Sequence, residues 1–191
     1  DSLILSGNFD YSAYARQEIS RDNENLYCVK RKTEINELFE AFSKGTNRFV
    51  VTSDIGNGKT IFLKQIAYEA HKHGYEIFSV NSTLNEIFSE IDIALQSNNK
   101  KIFLIDGYVR YRKIAEYIGF RLAGNAILAI SISENLDYSN MYELANKIGG
   151  SFREIRLDKL HEDDINEYNK IFERWGYWET YIAQTEEDRI G

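Results

Sequence analysis

The chain has 191 residues, a net charge of −7, one cysteine and no proline. That length suits one domain of ordinary size with a small appendage. The acidic balance argues against a broad non-specific nucleic-acid surface. The lone Cys28 cannot form an internal disulfide, and no apolar run approaches the ~18–20 residues of a membrane span. The expected setting is reducing and cytoplasmic, with no membrane partner and nucleic acid not indicated. The chain starts at Asp1 without an initiator Met, and Asp1-Ser2-Leu3-Ile4-Leu5 lacks the basic region of a signal peptide. It reads as a piece of a longer protein.

Residues 1–26 are an N-terminal arm or linker, polar from Asn8 to Asn25, with Leu3-Ile4-Leu5 closing an upstream element. From Thr33 the apolar residues Ile35, Leu38, Phe39 and Phe42 fall at helical spacing. Thr33 suits an N-cap, and Glu34 and Glu37 suit the first turn of the helix. Arg48-Phe49-Val50-Val51 is an apolar strand, and the run from Ile61 to about His73 is helical, closed by Gly74. Tyr75 to Val80 is a second strand. Leu84, Ile87, Phe88, Ile91 and Leu95 mark a second helix. Lys101 to Asp106 is a third strand with four consecutive apolar residues, as burial on both faces requires. Ile114 to Leu122 is a helix, Asn125 to Ser131 a fourth strand, and Leu136 to Ile148 a helix. Phe152 to Leu157 is a short fifth strand, and Asp158 to Gln184 is mostly helical. Alternating strands and helices predict an α/β fold, a three-layer sandwich with a five-stranded, largely parallel sheet. Residues 27–158 would form the nucleotide-binding domain, and 159–191 the start of a helical lid region.

The chemistry concentrates in Ser53-Asp54-Ile55-Gly56-Asn57-Gly58-Lys59-Thr60-Ile61. A strand, a glycine-bearing turn and Lys-Thr opening a helix make a phosphate-binding loop. Backbone N–H groups of such a turn form an anion nest, and the helix N-terminus adds partial positive charge. Lys59 supplies a point charge for the β/γ-phosphates, and Thr60 an oxygen for Mg²⁺. The full pattern G-x-x-x-x-G-K-[ST] has Ser53 in place of its first glycine; Gly56 and Gly58 retain the tight part of the turn.

Asp106 ends the third strand, 47 positions after Lys59. In a parallel sheet it shares the ligand-binding edge with the loop. An acid there suits Mg²⁺ held by Thr60. Lys59 and Asp106 are therefore the candidate catalytic residues, and Thr60 and Asp106 the candidate metal ligands. ATP or ADP with Mg²⁺ is the expected cofactor set.

Loop, later Asp-ending strand and an extra strand between them resemble the additional-strand class of P-loop ATPases. Within it the chain is similar to the AAA+ and STAND groups, including NACHT-type domains. Val29-Lys30-Arg31-Lys32 with Glu34, Ile35 and Leu38 resembles the motif these families carry before the first strand. By that resemblance Val29 packs near the adenine. Asp106-Gly107 resembles the NACHT-type strand-three motif. Leu160, Asp163, Asp164, Ile165 and Tyr168 resemble the start of their lid. The winged-helix lid of these families would extend beyond Gly191.

The departures shape the function. AAA+ members usually follow the strand-three Asp with a Glu that orients the attacking water. Here Gly107 and Tyr108 follow. Strand four in STAND members usually ends near a phosphate-sensing Arg; Ser131-Ile132-Ser133-Glu134 stands here, and Glu134 is a candidate substitute base. Arg110, Arg112, Arg121, Arg153 and Arg156 are candidate arginine fingers. Lacking a visible base, the chain should turn over slowly. The leading expectation is an ATP/Mg²⁺-binding regulatory switch of a larger cytosolic signalling or prokaryotic defence protein. Its partners would be other domains of that protein and further copies of itself. An active AAA+-type ATPase acting on nucleic acid and a non-hydrolysing scaffold are the alternatives. His71 and His73, two apart on a helix, do not face each other. Phe172, Trp175, Tyr177 and Trp178 read as lid-helix core or as an interface.

Overall fold

The computed structural model describes residues 4–6, 30–53, 58–132, 138–157, 164–167 and 169. The chain forms two compact units: residues 1–9 with 33–158, and residues 10–32 with 159–191. In the second unit, residues 164–167 are helical and Lys32 Nζ lies 3.9 Å from Glu167 Oε2. Val29, the rest of the lid motif and the late aromatic cluster lie outside the described residues.

The first unit is built on a six-stranded sheet. Its strands are β1 (Ile4–Ser6), β2 (Arg48–Thr52), β3 (Glu76–Val80), β4 (Lys101–Asp106), β5 (Ala126–Ile132) and β6 (Arg153–Arg156). Between them run α1 (Lys32–Ser43), α2 (Lys59–Lys72), α3 (Glu86–Gln96), α4 (Tyr108–Arg121) and α5 (Tyr138–Lys147). The order across the sheet is β1-β3-β4-β5-β2-β6. The strands from β2 to β6 pair in parallel, which is the five-stranded parallel sheet that alternating elements predict. The sixth strand is an addition to that expectation. Ile4–Ser6 pairs antiparallel with β3, Ile4 opposite Ser79 and Ser6 opposite Ile77. Three residues carry no periodicity to read, so only the pairing reveals this strand.

Alternate residues of each parallel strand serve opposite layers, because strand side chains have a period of two. Phe49, Val51, Ile77, Ile102, Leu104 and Ala129 join the apolar faces of α1 and α2. Val50, Phe78, Phe103, Ile105, Leu128 and Ile130 join those of α3, α4 and α5. The result is helices on both faces of one sheet, with Phe49, Ile102, Phe103 and Ile105 fully buried. Each such side chain contributes about 1.5–3 kcal/mol of transfer free energy.

Two polar devices fix the helix ends. Lys101 opens β4 with no exposed surface. Its ammonium donates to Ala94 O at 2.8 Å and to Ser97 O, capping the C-terminus of α3. A cation there satisfies orphan carbonyls and suits the negative end of the helix dipole. Burial pushes its pKa below the ordinary lysine value, with Glu76 opposing. Arg48 opens β2 and donates to Ile148 O at 2.9 Å and Gly119 O at 2.7 Å. It thereby joins the ends of α4 and α5. They meet so closely that a Cβ on Gly119 would lie 2.3 Å from Ile148 O.

Several boundaries move from the sequence expectation. Thr33 lies inside the first turn of α1 and not at its cap, because the helix starts at Lys32. Leu84 precedes α3 and is 60% exposed, so it is not on the helix's apolar stripe. The largest change is in α4, which starts at Tyr108, six residues before Ile114. Its first turn carries Val109, Arg110 and Arg112 outward and so has little apolar pattern. Gly107 launches it from a left-handed conformation, φ 97°, and the helix kinks at Tyr111, φ −112° and ψ 23°.

Candidate functional site

The site forms at the C-terminal edge of the parallel strands. There β2 ends in Thr52 and the chain re-enters helix at Lys59. Gly58 sits before α2 with φ 80° and ψ 27°, a left-handed conformation that a Cβ disfavours. Gly58 itself has no side chain to cap the helix, and the first N–H groups of a helix are a potential anion site. Asp54, Ile55, Gly56 and Asn57 fall outside the described residues, whereas Ile61 is 41% exposed in the first turn.

The strand order sets the rest. β5 lies between β2 and β4, with Val51 opposite Ser131 and Ser131 opposite Asp106. Asp106 is therefore one strand removed from the loop strand, and α2 projects Thr60 toward it. Thr60 Oγ1 donates to Asp106 Oδ2 at 2.7 Å. Ser131 Oγ donates to Asp106 Oδ1 at 2.6 Å and accepts from Gly107 N at 2.8 Å. Lys59 Nζ donates to Ser53 Oγ at 2.9 Å and to Ser53 O at 3.1 Å.

Thus Ser53, Gly58, Lys59, Thr60, Ile61 and Asp106 come together in one neighbourhood, and Ser131 joins them. Sequence reasoning places Ser131 at the end of the fourth strand and gives it no role in the site. The available signal was a polar residue ending the apolar run Ile127–Ile130, on the same sheet edge as Asp106. What the sequence could not tell is that β5 is the strand beside β4.

The donor set matches a hard divalent cation. Thr60 and Asp106 offer oxygens only, Asp106 is exposed, and Mg²⁺ takes one or two carboxylates with waters and phosphates rather than a full protein cage. Among the described residues no cluster of three or more His, Cys, Asp or Glu side chains could hold a metal by itself. That excludes a cage of that composition there, not a phosphate-assisted site.

In the chain no carboxylate directly follows Asp106, since Gly107 and Tyr108 come next. Gly107, at φ 97° and ψ 88°, adopts a backbone conformation in which a glutamate would be strained. Tyr108 turns to the other layer, packing against the core of α3, α4 and α5. Its hydroxyl lies 3.5 Å from Glu116 Oε1. Burial, reinforced by Glu116, pushes its pKa up to about 12. Glu134 lies outside the described residues. Of the candidate arginines, Arg112 pairs with Glu116 at 3.8 Å and Arg153 with Glu37 at 2.8 Å. Arg121 stacks over Tyr117 and Arg110 over Tyr111. Arg156 is exposed at the end of β6.

Parallel order, loop and strand-ending acid define a class: this is a P-loop NTPase module, STAND- and AAA+-like. Residues 25–119 match the family model described as Novel STAND NTPase 5. No curated protein matches the chain. Among solved structures it is similar to C. elegans PCH-2, at 13% identity and a TM-score of 0.54, over 82% of this chain and 53% of that one. This chain therefore spans about half the length of that protein. It also matches the E. coli MS115-1 HORMA:CdnC:Trip13 complex at 11% identity and a TM-score of 0.45, over 91% of this chain and 70% of that one. Rhizobiales Trip13 matches at 15% identity and a TM-score of 0.41, over 80% and 62% respectively. Among the described residues no helix is long and apolar enough to cross a membrane.

Proposed function

We propose that this chain is the ATP- and Mg²⁺-binding switch module of a larger cytosolic signalling or prokaryotic defence protein, with slow or partner-dependent hydrolysis. The observation that carries the reading is the Thr60–Asp106 contact at 2.7 Å, beside Lys59 and next to a Gly107 backbone unsuited to a glutamate. Lys59 binds the β- and γ-phosphates, and the α2 N-terminus orients them. Thr60 and Asp106 hold Mg²⁺, which supplies charge neutralisation on the phosphates. Among the described residues neither a water-orienting carboxylate nor an arginine finger is assigned, and those parts carry much of the rate of a fast NTPase. Holding nucleotide is then the useful event. Bound and unbound states bias the arrangement of neighbouring domains or of further copies of the chain.

Calorimetry with Mg·ATP, Mg·ADP and Mg·GTP, followed by a turnover assay, tests this. The expected result is adenine-nucleotide binding with turnover well below one per second for the isolated chain. Lys59→Ala should weaken binding at least ~10-fold through loss of a charge-assisted phosphate contact. Absence of binding at millimolar nucleotide would sink the proposal, and turnover of several per second without a partner would replace the switch with a motor.

A further inference from the structure

Thr52 is the last residue of β2 and directly precedes Ser53, where the phosphate loop begins. The end of β6 holds it in two ways beyond the strand pairing. The Thr52 carbonyl accepts from Leu157 N at 2.8 Å. The Thr52 hydroxyl donates to Glu154 Oε1. Thr52 is 5% exposed, and a buried hydroxyl needs such a partner. A carboxylate acceptor makes the bond charge-assisted and therefore stronger than a neutral one.

Side chains alternate along a strand, so Thr52 shares the face of Val50, in the layer of α3, α4 and α5. Glu154 stands opposite Val50 in the β2–β6 ladder and reaches Thr52 along that face. The helix that carries Lys59 and Thr60 packs in the other layer. Glu154 therefore acts on the loop from the far face of the sheet, and not beside Asp106.

The residue after Thr52 carries the consequence. Ser53 accepts from Lys59 Nζ through its hydroxyl at 2.9 Å and through its carbonyl at 3.1 Å. The peptide unit joining Thr52 to Ser53 is a rigid plane, so a shift or rotation of Thr52 moves both acceptors. Glu154, Thr52, Ser53 and Lys59 thus form one line of contacts, from β6 to the ammonium that meets phosphate.

We propose that Glu154 is a positioning residue of the nucleotide site: through the Thr52 hydroxyl it fixes the root of the phosphate loop and thereby the placement of the Lys59 ammonium. This rests on the nucleotide-site reading above. Glu154 touches neither phosphate nor metal and acts only through Thr52.

The test is calorimetry of Mg·ATP on the full chain, under conditions where urea curves show every variant to be folded. Thr52→Val and Glu154→Ala break the pair. Thr52→Ser keeps the donor, and the amide oxygen of Glu154→Gln keeps an acceptor. A net hydrogen bond of ordinary size corresponds to about 3- to 10-fold in an equilibrium constant. Thr52→Val and Glu154→Ala should each weaken ATP by that factor, and the double variant by no more than either alone, because both remove the same contact. Thr52→Ser and Glu154→Gln should bind within about 2-fold of wild type. Should Thr52→Val fail to fold, Glu154→Ala, at a half-buried position on the edge strand, carries the test with the two conservative variants. A lower urea midpoint with wild-type ATP affinity would make the pair a fold contact only and overturn the inference. Losses that multiply in the double variant would overturn it too, as would conservative variants as weak as the broken ones. A wild type that binds no nucleotide would overturn the nucleotide-site reading and the inference with it, whereas a binding wild type matched by every variant overturns the inference alone.

Discussion

Thr60 Oγ1 and Asp106 Oδ2 lie 2.7 Å apart, 46 positions apart in sequence. Neither residue alone marks a metal site, since one opens a helix and the other ends a strand. The contact exists because α2 starts from the edge of the sheet on which β4 ends. Asp106→Ala should therefore weaken Mg²⁺-dependent nucleotide binding by about 10-fold or more while changing metal-free nucleotide binding little. Titrations of ATP with and without Mg²⁺ measure this, and equal losses in both would remove Asp106 from the metal role.

Ser131 holds the other carboxylate oxygen of Asp106 and also the Gly107 N–H. Such supporting hydrogen bonds commonly contribute 10- to 100-fold to metal affinity or activity. Ser131→Ala should lower Mg²⁺ affinity about 10-fold, since the carboxylate loses one of its two anchors. Wild-type Mg²⁺ dependence in this variant would show that Thr60 alone positions Asp106.

Lys101 tests the fold apart from the site. Lys101→Met keeps most of the stem volume but leaves the Ala94 and Ser97 carbonyls without their ammonium donor. The long contacts that remain, from the Ser97 N–H to Ala94 O at 3.4 Å and from the Asn125 amide to Ser97 O at 3.5 Å, do not replace the charged donor, whose loss costs about 1–3 kcal/mol. Urea unfolding should show a lower midpoint with unchanged slope. An unchanged midpoint would mean that burying the ammonium already offsets what the cap contributes.

Gly119 is required by approach and not by backbone angle. Gly119→Ala would place its Cβ 2.3 Å from Ile148 O, and the neighbour is backbone that cannot rotate away. Separating the ends of α4 and α5 would stretch the Arg48 contacts as well. A loss of roughly 3 kcal/mol is expected, the upper part of the usual overpacking range, read again by urea unfolding. Gly124, whose Cβ would meet nothing within 4 Å, provides the control: Gly124→Ala should change stability little.

Tyr108 gives a pH signature. Its pKa is raised from 10.0 to about 12, first by burial and then by Glu116. A raised folded-state value means that the folded protein keeps the phenol proton after the unfolded chain has lost it. The stabilising contribution is complete below pH 10 and is lost as pH rises from 10 toward 12. Tyr108→Phe should therefore lose less stability than wild type across that window. In a tyrosinate absorbance titration, the wild-type minus variant difference should rise near its upper end. A difference centred at the ordinary tyrosine value would contradict the burial of this hydroxyl.

The sequence by itself determined the elements and the class. The glycine-lysine-threonine run after an apolar strand has few readings, and the apolar runs at Phe49–Val51, Ile102–Ile105 and Ala126–Ile130 are long enough to place buried parallel strands. Those signals are local, and local chemistry reports them. Strand order is not local. Only the tertiary structure put β5 between β2 and β4, and that placement brought Ser131 to Asp106. It also decided the start of α4, because Gly107 turns the chain into helix where the residues show little amphipathic pattern. The third strand-edge feature, Ile4–Ser6 beside β3, is a pairing of backbone groups and leaves no trace in side-chain periodicity. The same limit applies to Ser53. Its departure from glycine is plain in the sequence, but the 2.9 Å contact its hydroxyl accepts depends on where α2 carries Lys59.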